Sequence, residues 1–426
     1  LAERSNGAKR SWRRSNPDIG EDIMDFEDTA EEGVFRALAR AFLRENAPPP
    51  PEAGAAIVST DLETARAWQR AKADAGFAGI LLPAEAGGRG GTIMEQIIFD
   101  QEERAAGAPS DVHFMIGLGI CAPTILQFAT PEQIARHVPP LIRGDEIWCQ
   151  LFSEPSSGSD LAAARTRARR EGDGWVIKGQ KIWTSGAQHS DFGLLLARTD
   201  GSVPKHMGLT VFILDMKSPG VEVRPIKQIS GASHFNEVFL DEVYIPDARR
   251  IGQVGQGWKI ALGMLMNERL TVGRVFSPDV GPLIRVAAQT EINGAPAIDN
   301  GMVRERLARW YSEQQGIRHT VSRVMTALSK GRDPGPEASI IKIIDAAREY
   351  EMAGFALDLL GPAALDRAGG ADAAPALIGA FLEAPGTRIG GGTEEILLNV
   401  IAERVLGLPG DIRVDKDIPF DAAVAQ

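Results

Sequence analysis

The stretch Leu151-Phe152-Ser153-Glu154-Pro155-Ser156-Ser157-Gly158-Ser159-Asp160, with Lys181-Ile182-Trp183-Thr184-Ser185-Gly186-Ala187 further along, decides how this chain reads. The first run ends an apolar strand in hydroxyls and a Gly-Ser-Asp turn. Such a turn frees backbone N–H groups and hydroxyls to face an anionic or polar ligand. The second run sets a large aromatic beside two hydroxyl residues, a combination that can flank a flat ring and hydrogen-bond to its edge. Two ordinary Ser/Gly-rich turns are the bland alternative. The pairing favours a cofactor pocket built from strand ends.

Outward from these runs, the apolar period is short between Trp148 and about Ile251. Arg165-Thr-Arg-Ala-Arg169 alternates, and Glu171-Gly-Asp-Gly174 is a hairpin signal before Trp175-Val-Ile-Lys178. Residues 192–197, 209–214, 221–226 and 237–245 read as further strands, which predicts a small antiparallel β-barrel or sandwich. On the N-terminal side the period is helical. Phe35, Leu38, Phe42 and Leu43 recur at helix spacing before Pro48-Pro-Pro-Pro51 stops the chain. Residues 61–76, carrying Trp68, and 92–106 predict two more helices. The glycine-rich run 82–91 between them follows no clear strand, so it reads as a helix-entry loop and not as a dinucleotide fingerprint. Thr130-Pro-Glu-Gln133 is a helix start, with Thr as N-cap and Pro at the first position. On the C-terminal side long helical segments return, including 302–328 and 336–360. The expected class is α+β in three domains: helical over 31–147, β over 148–252 and a four-helix bundle over 253–410. Residues 1–30 are expected to be a disordered tail and 411–426 a C-terminal tail. Without alternating βαβ units, a Rossmann enzyme is disfavoured.

Bulk composition narrows the partners. A chain of 426 residues can bury a sizeable core. Its net charge of -11 argues against a nucleic-acid partner, which would call for a basic surface. No apolar run approaches the length of a membrane span. The six histidines show no metal-ligand spacing, so no metal is expected. Cys121 and Cys149 lie in apolar runs and read as buried thiols of a reducing compartment, a cytoplasmic or mitochondrial-matrix setting. The basic start, with Arg4, Lys9, Arg10, Arg13 and Arg14, lacks the apolar core of a secretory signal.

One carboxylate stands out. Glu268 lies in Trp258-Lys-Ile-Ala-Leu-Gly-Met-Leu-Met-Asn-Glu-Arg-Leu270, where Ala261, Leu265, Glu268 and Val272 share a stripe. Trp258, Leu262, Met266 and Leu270 make the remaining surface apolar too, which predicts a helix buried nearly all round. A carboxylate there is costly unless paired or neutral, and desolvation would lift its pKa toward that of a working general base. A structural ion-pair position shared with Arg269 explains the residue equally well.

The two runs of the opening paragraph resemble the middle-domain signature of acyl-CoA dehydrogenases, and the α–β–α layout over about residues 31–409 resembles that family's three domains. The resemblance implies FAD as cofactor and an acyl-CoA thioester as substrate. It implies removal of a Cα proton by a base and of a Cβ hydride by flavin N5. Most members carry the base directly before a Gly-Thr pair, where this chain has Gly391 in Gly390-Gly391-Gly392-Thr393-Glu394-Glu395-Ile396. A second group, resembling isovaleryl-CoA and long-chain enzymes, puts glycine there and the base on the first bundle helix in a Glu-Arg-Leu context. Glu268-Arg269-Leu270 matches that group, which favours Glu268 as the base over Glu394 and Glu395, whose place in a helix first turn has a macrodipole explanation. Carried over position by position, Leu151, Phe152, Ser153, Trp183, Thr184 and Ser185 would flank the flavin, Gly158 and Ser159 would meet its pyrophosphate, and Gly361, Thr393 and Glu395 would close on the cofactor. Ser159, Leu265, Arg269 and Gly391 would line the substrate, the Gly391 N–H holding the thioester oxygen.

One departure matters. Many members carry Arg-x-Thr-Phe-Gly at the end of the second bundle helix, reaching a neighbouring subunit's FAD; here the stretch is Thr290-Glu291-Ile292-Asn293-Gly294. Asp358-Leu-Leu-Gly361-Pro362 keeps only Gly361 of another intersubunit stretch. The resemblance implies a homo-oligomer, a dimer or tetramer; the departure leaves weaker FAD binding or a heteromer with a different chain as alternatives. Electron-transfer flavoprotein is the implied acceptor. An oxidase on the same scaffold, a non-catalytic subunit and a flavin-bearing binding protein of the alkylation-response branch are the rival readings.

Overall fold

The structure is a computed structural model that describes residues 28–49, 61–108, 112–275, 279–329, 338–365, 374–410, 412, 414–415 and 417–424. Nearly all of the expected N-terminal tail, together with Pro50 and Pro51, therefore lies outside the described residues. The chain opens with helices α1 (Ala30–Asn46), α2 (Leu62–Asp74), α3 (Ile93–Ala105), α4 (Val112–Ile116), α5 (Ala122–Phe128) and α6 (Pro131–Ile142). Three of them start on reciprocal capping boxes, Thr29 with Glu32, Thr92 with Glu95 and Thr130 with Gln133. The glycine-rich run before Thr92 is a loop leading into α3, and Asp61 caps α2. Between α4 and α5 the residues Gly117–Cys121 widen into a single π-helical turn.

The β-region comprises β1 (Trp148–Leu151), β2 (Arg167–Glu171), β3 (Gly174–Ser185), β4 (Phe192–Arg198), β5 (Leu209–Asp215), β6 (Val221–Ile226), β7 (Phe235–Pro246) and β8 (Arg250–Ile251). They form one sheet in the order β6-β7-β3-β2-β4-β5-β8, with β1 added beside β4. The strands lie where the alternation of the sequence places them, and Glu171 pairs with Gly174 across the expected two-residue turn. The sheet is not purely antiparallel, however. β1 runs parallel to β4, and β2 meets β4 in parallel through Arg167 and Arg198. The parallel pairing of β1 follows from its place in the chain, because it arrives directly from α6 instead of through a hairpin.

Every residue of β4 is buried, in contrast to β6. Leu195 and Ala197 join Phe212, Leu214, Trp175, Val238 and Ile245 in the interior of the sheet. Leu194 and Leu196, with Val211 and Ile213, face the opposite way against Ile120, Val138 and Trp148 of the helical region. The same layer receives Ile260, Ala261 and Met264 of α7 (Gly257–Val275). Full burial on both faces explains why β4 and β5 read as continuous apolar runs.

The C-terminal region continues with α8 (Gly281–Gln289), a hairpin of β9 (Glu291–Ile292) and β10 (Ala295–Pro296), α9 (Gly301–Ser329), α10 (Ala338–Leu360), α11 (Ala374–Ile389) and α12 (Glu394–Arg404). Helix α10 is central and packs on α7, α8, α9, α11 and α12. The described part of the expected C-terminal tail is docked, not loose. Its helix α13 (Phe420–Val424) sits on the β-region, with Phe420 buried and the Arg198 guanidinium 3.5 Å from its ring centre. Asp421 pairs with Arg167 at 3.1 Å, and Lys205 joins Asp415 to Asp160. No helix among the described residues is long and apolar enough to cross a membrane.

Glu349 of α10 makes this packing pH-dependent. Burial, with Glu383 and Asp345 nearby, pushes its carboxyl from an ordinary 4.5 up to about 7 against the opposing hydrogen bond to Thr387. A raised acid pKa favours the fold fully below the unfolded value, and that advantage fades as pH rises through the folded value. Replacing Glu349→Gln should leave thermal stability at pH 4.5 nearly unchanged. It should raise stability at pH 8 by roughly 3 kcal/mol. Equal effects at the two pH values would show that Glu349 titrates normally.

Candidate active site

Two clusters of expected site residues emerge, one on the sheet and one where α7 meets the turn before α12. On the sheet, Ser153 lies beside Trp183 because the Ser153 carbonyl accepts the Ile182 N–H at 2.9 Å. The β3–β7 register shifts between Lys181 and Thr184, and Trp183 takes a left-handed backbone with φ 58°. Such a conformation costs a bulky residue about 1–3 kcal/mol, so the surrounding sheet must impose it. The strain turns a large aromatic outward: Trp183 is 56% exposed and touched edge-on by Phe235 at 6.0 Å. Ser185 stands on the same side of the strand, half-buried.

Two members of the expected set face the wrong way. Thr184 is 1% exposed, and its hydroxyl is buried without a hydrogen-bond partner. Its carbonyl accepts from Asn236 at 3.0 Å. Strand alternation between Trp183 and Ser185 drives it into the interior, so its side chain is not part of this surface. The Leu151 side chain likewise belongs to the core inside the sheet, leaving only its backbone for any ligand. Phe152 points oppositely, into the cluster that also contains Ala261 and Met264 of α7, with Leu265 packed against it. That cluster joins the sheet site to the helix that carries Glu268.

Gly158 and Ser159 form an exposed turn, and a side chain at Gly158 would meet open space. Its base is closed by Glu154 and Ser157, each donating its N–H to the other's carbonyl. Beneath lies a buried ion pair the sequence reading did not single out. Lys181, 0% exposed, reaches Glu154 Oε1 at 2.8 Å and the Phe152 carbonyl at 3.0 Å. Glu154 also accepts the Arg165 and Thr166 N–H groups at 2.6 and 2.9 Å. Burial alone would raise the Glu154 pKa, but Lys181 and these amides hold it below the usual carboxylate range. Burial pushes Lys181 down, and the attraction of Glu154 opposes it.

At the second cluster, a Cβ on Gly391 would come 3.3 Å from Glu268 Oε1. Gly391 and Gly392 have φ +68° and +96°, values that disfavour any side chain. Lys342 donates to the Gly392 carbonyl and fixes the turn. The carboxylate of Glu268 thus faces the position that lacks a side chain. Glu394, the nearest rival, is held bidentate by Arg388 at 2.6 Å, which keeps its carboxyl below the usual range and unsuited to proton abstraction. Glu395 is exposed, and Thr393 caps α12 through the Ile396 N–H. Gly361, with φ +55°, ends α10 and joins neither cluster. The Arg269 side chain lies outside the described residues. Helix α7 is not buried all round: Leu262 is 47% and Met266 38% exposed, while Ile260, Ala261 and Met264, with Trp258 and Leu265 beside them, form the face packed toward the sheet.

The stretch Thr290–Gly294 is remade as a hairpin. Asn293 and Gly294, at φ +53° and +80°, turn β9 into β10, and Thr290, just before β9, stands at the arginine position of the resembled motif. The Asn-Gly pair was the available signal for it.

An outward indole, a neighbouring hydroxyl and an open Gly-Ser turn on one sheet fit a flat cofactor with a phosphate tail. Residues 29–145, 149–243 and 255–406 match the acyl-CoA dehydrogenase N-terminal, middle and C-terminal domains in that order. The acyl-CoA dehydrogenase FadE34 of Mycobacterium tuberculosis is 40% identical over 379 residues; these cover 88% of this chain, which spans about half (51%) of that relative's length. The acyl-CoA dehydrogenase IpdE1 of Mycolicibacterium smegmatis is 36% identical over 82% of this chain and 90% of its own. Among solved structures, the Tcur3481-Tcur3483 steroid ACAD superposes with a TM-score of 0.77 at 27% identity, over 91% of this chain and 100% of that one. The chain belongs to the acyl-CoA dehydrogenase family of FAD-dependent oxidoreductases.

Proposed function

We propose that Glu268 is the base of α,β-dehydrogenation in this chain and that a second, different chain completes its cofactor site. The observation that carries the first part is the approach of Glu268 Oε1 to the side-chain-free Gly391. A thioester lying in that gap would present its Cα to the carboxylate, and the glycine leaves the space open. Bound FAD supplies the acceptor for the hydride leaving Cβ. The protein contributes the rest: Trp183 and Ser185 to seat the ring, the Gly158-Ser159 turn to meet the phosphates, and Glu268 to take the proton.

A different partner chain is supported by the hairpin at Thr290–Gly294. It carries Thr290 at the arginine position and no arginine over 290–294, so this stretch cannot give another copy the charge-assisted contact to a diphosphate. The paired name of the Tcur3481-Tcur3483 neighbour points the same way. Its substrate class, steroid, sets the first acyl group to test, a bulky polycyclic CoA thioester. Electron-transfer flavoprotein in the cytoplasm is the acceptor we assign.

Anaerobic titration with a panel of acyl-CoA thioesters tests the activity, and bleaching of the flavin band is the expected result. Glu268→Gln should keep flavin and fold yet reduce the bleaching rate by about two to four orders of magnitude. A near-normal rate would remove Glu268 as base. Rapid reoxidation of the bleached protein by air, with no need of electron-transfer flavoprotein, would mark an oxidase.

Trp183→Ala should lower flavin occupancy and shift its absorbance. Because the indole is mostly exposed, unfolding free energy should change by less than about 1 kcal/mol. Loss of the fold would make Trp183 a core residue.

The lone chain, purified without added cofactor, should carry less than one FAD per subunit. Co-expression with the partner should restore full occupancy, whereas excess FAD alone should not. Stoichiometric FAD surviving prolonged dialysis of the lone chain would remove the need for a partner.

A further inference from the structure

The two runs that seat the cofactor are joined by a buried ion pair, beside the Ile182 N–H bond to the Ser153 carbonyl. Glu154 lies inside the first run and Lys181 opens the second. Glu154 closes the base of the Gly158-Ser159 turn through its backbone exchange with Ser157. Its carboxylate gathers the Arg165 and Thr166 N–H groups and the Lys181 amine. Lys181 in turn holds the Phe152 carbonyl, next to Ser153, and stands two residues before the strained Trp183. On the other side of that irregularity Asn236 holds the Thr184 carbonyl.

Stability is a poor explanation for the pair. Taking two charges out of water costs about as much as their attraction returns, and an apolar pair of equal volume often serves as well or better. What an ion pair with four fixed hydrogen bonds supplies, and an apolar pair does not, is a set distance between the segments it joins. Here those segments are the turn, Ser153 and Trp183.

We propose that Glu154 and Lys181 are positioning residues that set the spacing between the Gly158-Ser159 turn and the Trp183–Ser185 face, and so the fit of FAD between them. The inference rests on the reading of that surface as the flavin seat. With the pair intact, Trp183 is held at the height and angle at which its indole meets the ring. Without it, the bulge in β3 relaxes, and the indole no longer contributes to binding.

The test is FAD affinity of the apoprotein, followed by flavin fluorescence, in the full chain with its partner if that is needed for binding. The variant Glu154→Gln/Lys181→Met removes both charges together and keeps the volume. It should retain the melting temperature of the apoprotein within a few degrees. Its FAD dissociation constant should rise at least tenfold, and the absorption band of bound flavin should move toward that of free FAD. Adding Trp183→Ala to this variant should cost little further affinity, although Trp183→Ala alone costs much. A structural role alone would leave the two changes additive. An unchanged dissociation constant and spectrum, or full additivity, overturns the proposal. If the double variant does not fold, Glu154→Asp, which keeps the charge and withdraws the carboxylate by one methylene, is judged by the same measurements. If that variant also fails to fold, the pair serves the fold and the proposal is overturned. Failure of the unaltered protein to bind FAD with its partner would sink the flavin-seat reading itself.

Discussion

Two-sided burial of β4 and β5 is the constraint on which the arrangement depends. Leu195, Ala197, Phe212 and Leu214 close the interior of the sheet, while Leu194, Leu196, Val211 and Ile213 turn to the helices. Each of the Leu, Val, Ile and Phe side chains among them contributes about 1.5–3 kcal/mol when removed from water. Because the residues alternate, neither face can be satisfied without the other. The sheet therefore cannot fold without fixing where α7 lies, and α7 carries Glu268.

The site follows from this layer in two steps. The sheet delivers an exposed indole and an open turn on one surface, at the cost of a left-handed residue at Trp183. Packing of α7 against that layer, and of α10 against α7, brings the Gly391 turn to the Glu268 carboxylate. Glycine at 391 is favoured by its backbone angle, and a Cβ there would also press on Oε1 at 3.3 Å. A carboxylate at 268 and a larger side chain at 391 would crowd each other.

Much of this was legible because it is local. Helix starts at Thr92 and Thr130, the hairpin at Glu171–Gly174 and the strands of the middle region are set by caps, turn residues and alternation within a few positions. The candidate site residues Glu268, Trp183, Ser185 and Gly391 come from resemblance of short motifs. The parallel entry of β1 beside β4 was not visible, since register across distant segments is chosen by packing. The Asn293-Gly294 turn is legible as a dipeptide that accepts left-handed backbone at both central positions. The docking of Phe420 under Arg198 depends on a partner more than two hundred residues away and leaves no periodic trace.

The sequence alone determined the class of fold and the three regions in order, because these rest on periodicity and on short-range backbone preferences, while the candidate site residues came from short motifs. Only the tertiary structure decided which side chains of a motif face a ligand. Thr184 and Leu151 sit inside the expected runs yet turn into the core, since alternation and a shifted register assign each residue its side. The same holds for the carboxylates near the Gly391 turn. Glu268 and Glu394 are both plausible bases on paper, but the fold puts one opposite a glycine and binds the other to Arg388. Proton abstraction depends on what lies within a few ångströms of a carboxylate, and residues far apart along the chain meet at that distance only when the core is closed.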